Sequence, residues 1–312
     1  MTSLKVKIGV TENDYEAIAR FQRNAFSPDA PDPRIAALQT PAYYHWKYNT
    51  PFGQATVGRV LLDGSTVSHL AAIPTILYGG REATKAWQLC DIATHPGHRS
   101  AGYFRCLLGE WLSTLPGRDL VYCFPNMRSL PILLTSGFLL AAELRLLVAP
   151  VLARTRGSSN YEIDSSPATI SPPPSENNTN GDVISTRIDE AYLVWRFALR
   201  PDVEYLRLTV RRGNQMGDAF VRSLFVGGQR FCLLMLMRGC RITARPLLKA
   251  VAHYAGAERA RAVLYLSSTW RGSLLPPFVP VPRLFLPRRF PVVVRPTDCR
   301  PLNFSASDWD VL

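Results

Sequence analysis

The chain has 312 residues, 47% of them hydrophobic and 19% charged, and Lys and Arg outnumber Asp and Glu by 12. That length suits one or two ordinary domains, each with a core of its own, and the composition excludes disorder or a fibrous architecture for the bulk of the chain. The charge is uneven, with 14 basic against 11 acidic residues in 1–153 and 22 against 13 in 154–312, and a basic half suits nucleic acid, an anionic membrane or a polyphosphate cofactor.

The first residues hold no basic segment followed by an apolar core and a cleavage site, so no secretory signal is expected and the cytoplasm is the expected location. The first patterned segment is Ala42, Tyr43, Tyr44, His45, Trp46, Lys47 and Tyr48 followed by Pro51, which predicts a helical core anchor built on Trp46. Strand-like runs follow over Thr56 to Leu62 and Val67 to Tyr78, with Gly64 at the turn between them. Ala86 to Thr94 alternates apolar positions as a strand does; a turn and an apolar-periodic helix from about Gly102 to Leu115 come next. Leu120 to Phe124 predicts a short strand, Met127 to Ser136 a helix despite Pro131, and Phe138 to Val151 a closing strand pair. The most apolar stretch, Leu130 to Ala153, is interrupted by Gly137, Glu143, Arg145 and Pro150 and predicts no membrane span.

Residues 158–181 are rich in Ser, Pro and Asn and cannot repay the entropy of being ordered, so 154–182 predicts a linker between a domain at 1–153 and another at 183–312. The Trp pattern then returns as Ala191, Tyr192, Leu193, Val194, Trp195, Arg196 and Phe197 followed by Pro201, which marks an internal duplication. Strand runs follow at Tyr205 to Arg211 and Ala219 to Met237, then a helix at Ala244 to Ala257, a strand at Ala262 to Ser267 and a Pro-rich strand pair within Phe278 to Arg295. This order echoes the first half, without a Gly-containing loop between long strand and helix. The six cysteines show no metal-ligand spacing and read as reduced thiols; His45, His69, His98 and His253 likewise propose no metal. Arg283, Arg288, Arg289, Arg295 and Arg300 read as a solvated basic face, and the basic residues lack the aromatic interleaving that favours nucleic acid.

The chemistry concentrates between Asp91 and Phe104. A strand, a turn holding Arg99, Ser100, Ala101 and Gly102, and a helix opening at Tyr103 and Phe104 aim main-chain N–H groups outward at the positive end of a helix dipole, which suits a pyrophosphate. Arg99 can add a charge-assisted contact, and Gly102 permits close approach. Asp91 is the candidate base, because strand alternation with Ile92 and Thr94 inward sets Asp91 and Ala93 on the opposite face; His95 is the alternate, its ordinary pKa suiting proton transfer near neutrality.

The run Arg99, Ser100, Ala101, Gly102, Tyr103, Phe104 resembles motif A of the GNAT superfamily of acyl-CoA acyltransferases, with Phe104 where the family carries a small residue. A second block, Asn126, Ser129, Leu133, Gly137 and Phe138, resembles the downstream block of the same family. The resemblance implies a tandem GNAT fold of the α/β (α+β) class, two mixed, mostly antiparallel sheets flanked by helices, with the second copy degenerate. It implies acyl-CoA, acetyl-CoA foremost, held by residues 92–94, 99–104, Asn126 and Ser129 without a metal. It also implies transfer to an amine or hydroxyl of a small molecule or sugar precursor. The family's acidic tyrosine is replaced by Leu133, so either the thiolate leaves without a donor, or Tyr103 or Tyr122 substitutes, or no transfer occurs. The ending Asn303 to Leu312 resembles that of two-domain acyltransferases. The rival readings are an aminoacyl-tRNA-dependent transferase, with the basic half as its RNA face, and a non-catalytic module that binds CoA or a partner.

Overall fold

The structure is a computed structural model that describes residues 3–9, 14–26, 39–79, 82–117, 119–151, 162–164, 183–268, 278–286, 289–296 and 301–308. The first half opens with strand β1 (Leu4–Gly9), helices α1 (Tyr15–Phe26) and α2 (Pro41–Tyr48), and the short ladder of β2 (Asn49–Thr50) with β3 (Gly53–Gln54). The antiparallel strands β4 (Thr56–Leu62), β5 (Ser65–Gly79) and β6 (Glu82–Thr94) follow, then α3 (Tyr103–Ser113), β7 (Leu120–Cys123), α4 (Leu130–Thr135), β8 (Leu139–Glu143) and β9 (Arg145–Pro150). The second half runs β10 (Glu162–Asp164), β11 (Ile184–Thr186), α5 (Glu190–Leu193), β12 (Leu206–Arg212), β13 (Gln215–Val226) and β14 (Gln229–Arg238). It closes with α6 (Arg241–Ala257), β15 (Ala262–Ser267), β16 (Val279–Pro280), β17 (Pro291–Arg295) and β18 (Leu302–Asn303).

Local sequence explains most of these boundaries. Thr40 caps α2 by accepting the Tyr43 N–H at 3.1 Å, and Pro41 occupies a first-turn position where no N–H is needed. Asp63 and Gly64, both at positive φ, make the two-residue turn that joins β4 to β5. In α3, Phe104, Leu107, Leu108 and Trp111 are buried at helical spacing against Leu70, Trp87 and Val121 of the first sheet.

The strands form two large sheets. The first has the order β1-β4-β5-β6-β7-β17-β8, with β11 on the far end of β5 and β18 on β11; the second has the order β10-β12-β13-β14-β15-β9-β16. The two halves of the chain therefore exchange strands. Arg145–Pro150 lies in the second sheet against β15, and Pro291–Arg295 lies in the first between β7 and β8. The runs expected to close as pairs at 138–151 and 278–295 do hold two strands each, but the members of each run join different sheets. Periodicity identifies an apolar strand; it does not say which sheet will bury it. The expected single run from Ala219 to Met237 is likewise two strands, turned by Gly227 and Gly228 at positive φ. Of the expected linker, only Glu162–Asp164 lies within the described residues, where it pairs with β12.

The repeated Trp pattern has a direct structural counterpart. Trp46 Nε1 donates to the Trp195 carbonyl at 2.6 Å and Trp195 Nε1 donates to the Trp46 carbonyl at 3.0 Å, with the two indoles stacked at 5.2 Å. A reciprocal pair of this kind is what a local two-fold relation between two copies produces. The second copy widens here, since α5 continues into a π-helical turn at Val194–Ala198. Between the sheets lies one core in which Leu77, Ala86 and Tyr122 of the first sheet meet Phe220 and Leu233 of the second, and Phe304 of the C-terminal segment is wedged among them.

Candidate active site

Strands β6 and β7 run parallel from Ala86–Leu120 to Leu89–Cys123, and the pairing stops there. β6 continues for five residues to Thr94 with its β7 side unpaired, while β7 gives way to Phe124 and Pro125, so the sheet splays open. Beyond the end of β6, the 3-10 turn Pro96–His98 and residues 99–102 lead into α3. Ser100 and Gly102 both take positive φ, +66° and +80°, and an alternation of this kind turns successive amides toward one concavity. Among the described residues, no acceptor meets the main-chain N–H groups of Ser100 to Phe104, and α3 has no side-chain cap. Bare, solvent-facing amides at the start of an eleven-residue helix are an anion cradle. Phe104 itself is 6% exposed and points into the core, so its bulk does not fill the concavity.

At the other end of the splay, β6 carries a bulge opposite Leu70, where Asp91 takes a φ of +49°. The bulge is clamped from several sides. Lys47 Nζ donates to Asp91 Oδ1 at 2.8 Å and Tyr48 OH to Oδ2 at 2.9 Å, while Gln22 Nε2 donates to the Asp91 carbonyl at 2.8 Å. His69 Nδ1 lies 3.0 Å from the same carbonyl; burial pulls this imidazole down to about 4, with Arg59 and Lys47 adding to the effect and Asp91 opposing it, so it is neutral at physiological pH.

On the sheet face away from α3, a narrow cleft opens beside the last β6–β7 pairs, floored by Gln88 and Tyr122 and walled by Tyr192, Trp195, Arg196 and Asp308. Asp308 belongs to the C-terminal segment. Its carboxylate accepts from Thr186 Oγ1, from Ser305 N at 2.8 Å and from Ser305 Oγ at 3.2 Å, and its carbonyl accepts from Gln88 Nε2 at 3.0 Å. Burial lifts the Asp308 carboxyl above the ordinary aspartate value against the opposing pull of these donors and of Arg196. Tyr122, hydrogen-bonded through its hydroxyl to Gln88 Oε1 at 3.4 Å, is pushed well above 10 by burial first and by Asp308 next, so it stays protonated.

The profile of the acetyltransferase (GNAT) domain matches residues 8–140. Over those residues the chain is similar to a GNAT domain. A comparison with curated protein sequences gives no match. Among solved structures, a GCN5-related N-acetyltransferase from Anabaena variabilis superimposes with a TM-score of 0.62 at 10% identity, over 93% of this chain and 72% of that one. A conserved protein of unknown function from Enterococcus faecalis V583 gives 0.64 at 12% identity, over 94% and 72%. A GCN5-related N-acetyltransferase from Kribbella flavida gives 0.57 at 12% identity, over 94% and 71%. At these identities the likeness is one of fold, and it extends across both halves.

Within residues 8–140 the residues named from sequence separate into groups. Ser100, Ala101, Gly102 and Tyr103 line the cradle with their main chain. Ile92 is packed on the α3 side of the sheet, Ala93 is buried, and Thr94 Oγ1 lies 3.1 Å from Ser68 Oγ at the end of β6. Arg99 turns away from the cradle, donating to the carbonyls of Ala25 at 2.8 Å and Thr94 at 3.4 Å, and so ties the loop to α1. Asn126 Oδ1 accepts from the Arg128 and Ser129 amides at 2.9 Å each, and the Ser129 hydroxyl turns back onto Asn126, so both side chains shape the entry to α4. Leu133 is fully buried beside Phe138. His95 is exposed and accepts the Gly97 N–H at 3.3 Å, with no bond to Asp91. Asp91 does lie on the face opposite Ile92, as alternation over 91–94 has it, but there it is bonded to Lys47 and Tyr48. Gln88, Tyr192 and Asp308 went unnamed as site residues; the only sequence signal for Asp308 was the family-like ending of the chain, and Tyr122 entered only as a substitute acid. Among the described residues no three His, Cys, Asp or Glu side chains gather as metal ligands, and no helix is long and apolar enough to cross a membrane.

Proposed function

We propose that the chain is an acyl-CoA-dependent N-acyltransferase whose donor lies across the splay of β6 and β7 and whose acceptor enters the cleft on the opposite face. The observation that carries this reading is the set of unpartnered amides at Ser100 to Phe104 beside an open strand edge. When bound, acyl-CoA supplies the activated acyl group as a thioester. The amides hold its pyrophosphate, and the side of β6 that β7 leaves beyond Leu89 faces its pantetheine arm.

At the cleft, Asp308 is the group we assign to removing a proton from the acceptor ammonium. It is surrounded by neutral donors rather than a cation in direct contact, and its raised affinity for protons suits a base. Tyr122 stays protonated and can donate a hydrogen bond to the charge that develops on the carbonyl oxygen or the departing sulfur, the part that Leu133 cannot play. Asp91, neutralised by Lys47, is better placed as a positioning residue that fixes the bulge. The acceptor is read as a small amine; a tandem GNAT arrangement, with the second half walling the cleft, accords with the reciprocal tryptophans and the exchanged strands.

The test is calorimetric and thermal-shift titration with acetyl-CoA. The wild type is expected to bind and be stabilised, and Gly102→Asp, which sets a carboxylate in the cradle and a side chain at a φ of +80°, is expected to lose binding. Absence of any acetyl-CoA binding to the wild type would end the proposal.

A further inference from the structure

The face of the second sheet that looks away from α6 is unusually cationic for a buried surface. Arg207 and Arg238 both bind the fully buried Asp218, at 2.8 to 3.0 Å for Arg207 and 2.9 Å between Arg238 Nε and Asp218 Oδ1. Arg200 is held in a two-point pair by Asp202, at 2.9 and 3.0 Å, and also donates to Tyr205 OH at 3.2 Å. Arg196 Nε donates to the Ser307 carbonyl at 2.8 Å. On the same face, Arg222 of β13 has no such counterpart. It is 7% exposed, and among the described residues its Nε, sealed from solvent, meets no hydrogen-bond partner and no carboxylate pairs with it.

An unpaired guanidinium in this position is costly. Burial draws the Arg222 pKa down, against an upward pull from Tyr205, and Arg200 and Arg196 lower it further. Methionine or leucine would fill the site without that penalty, so a guanidinium here is explained by an anion that binds it. We propose that Arg222, flanked by Arg200 and Arg196, is a subsite for a single anionic group, phosphate or carboxylate, of a small ligand. A macromolecular surface does not fit, because a residue nine-tenths buried cannot meet one; a small anion carries its own charge and acceptors inward. Arg196 also lines the cleft at Tyr122 and Asp308, which sets the subsite next to the acceptor's end of that cleft. The inference stands on Arg222 and does not depend on acyl transfer.

The test uses the full chain carrying Gly102→Asp, so that anion binding at the helix start of α3 is removed, and follows thermal unfolding at constant ionic strength as chloride is replaced by phosphate or, separately, acetate. A saturable rise in melting temperature is expected, about 3 °C at a tenfold excess over Kd. A response to phosphate alone assigns a phosphorylated ligand, and a response to acetate as well assigns a carboxylate. Adding Arg222→Met should abolish the rise and, in chloride, leave the protein melting at or above its parent; Arg222→Lys should retain a weaker rise. The proposal is overturned if neither anion shifts the parent, if Arg222→Met keeps the full shift, or if Arg222→Met melts well below its parent in chloride.

Discussion

Replacing Asp91 with asparagine separates a base from a clamp. Lys47 is 1% exposed and its ammonium lies 2.8 Å from Asp91 Oδ1, whose side chain is 13% exposed. Asparagine preserves the shape and an acceptor for Tyr48 OH but removes the carboxylate charge that faces the buried Lys47 ammonium. Removing one member of a buried pair costs about 3–5 kcal/mol, and the partial solvent access of Asp91 reduces this to about 2–3 kcal/mol. For a chain of this size that is a fall of about 4–6 °C in melting temperature. Circular dichroism melts of Asp91→Asn should show that fall, and the double variant Lys47→Met, Asp91→Asn, which carries no buried charge, should recover most of it. Turnover of Asp91→Asn, assayed well below its melting temperature with an amine acceptor, should stay within about tenfold of wild type. A variant that melts like wild type and loses more than about a hundredfold in kcat would refute the clamp and restore Asp91 as the base.

Two further outcomes follow from the same geometry. His69 titrates at about 4 in the fold against 6.5 when unfolded, so the unfolded chain binds the extra proton first as pH drops; stability is lost between about 6.5 and 4 and changes no further below, by roughly 3 kcal/mol, and His69→Asn should flatten that limb in urea titrations at pH 7 and 4.5. Tyr122→Phe and Asp308→Asn should each lower kcat by about a hundredfold with acetyl-CoA affinity unchanged, as stopped-flow turnover beside calorimetry would read; a loss confined to acetyl-CoA binding would remove both residues from the chemistry.

The cradle was legible because its signals are local. A strand, a turn with Gly102 and a helix start lie within fourteen residues, and the positive φ at Gly102 is the conformation that glycine there permits. The duplication was legible for a related reason, since Trp46 and Trp195 mark equivalent positions 149 residues apart and meet across the local two-fold. The face that Asp91 takes was legible from alternation with Ile92 and Thr94, but the bulge and its partners Lys47 and Tyr48 were not, because nothing in the residues from Leu89 to Thr94 announces them. The acceptor cleft was illegible for a third reason: Gln88, Tyr122, Tyr192 and Asp308 come from four distant segments, and only the packed fold assembles them.

The exchanged strands also explain why the two halves differ in chemistry while sharing an order of elements. In the second half, β14 ends at Arg238 and α6 begins at Arg241, leaving two residues where the first half has eight. Gly239 there is packed so tightly that a Cβ would lie 2.4 Å from Thr243 Oγ1, and the Thr243 and Ala244 amides already bond the Cys240 carbonyl. With two connecting residues and Gly239 packed this closely, that helix start has no concavity like the one at residues 99–102. The same half instead supplies β17 to the first sheet, and Tyr192, Trp195 and the segment that carries Asp308 to the cleft wall. Because these contributions cross from one half to the other, a cleft built this way requires both halves folded together, and a change that loosens β17 from β7 should disturb the acceptor side before it reaches the cradle at Ser100 to Phe104.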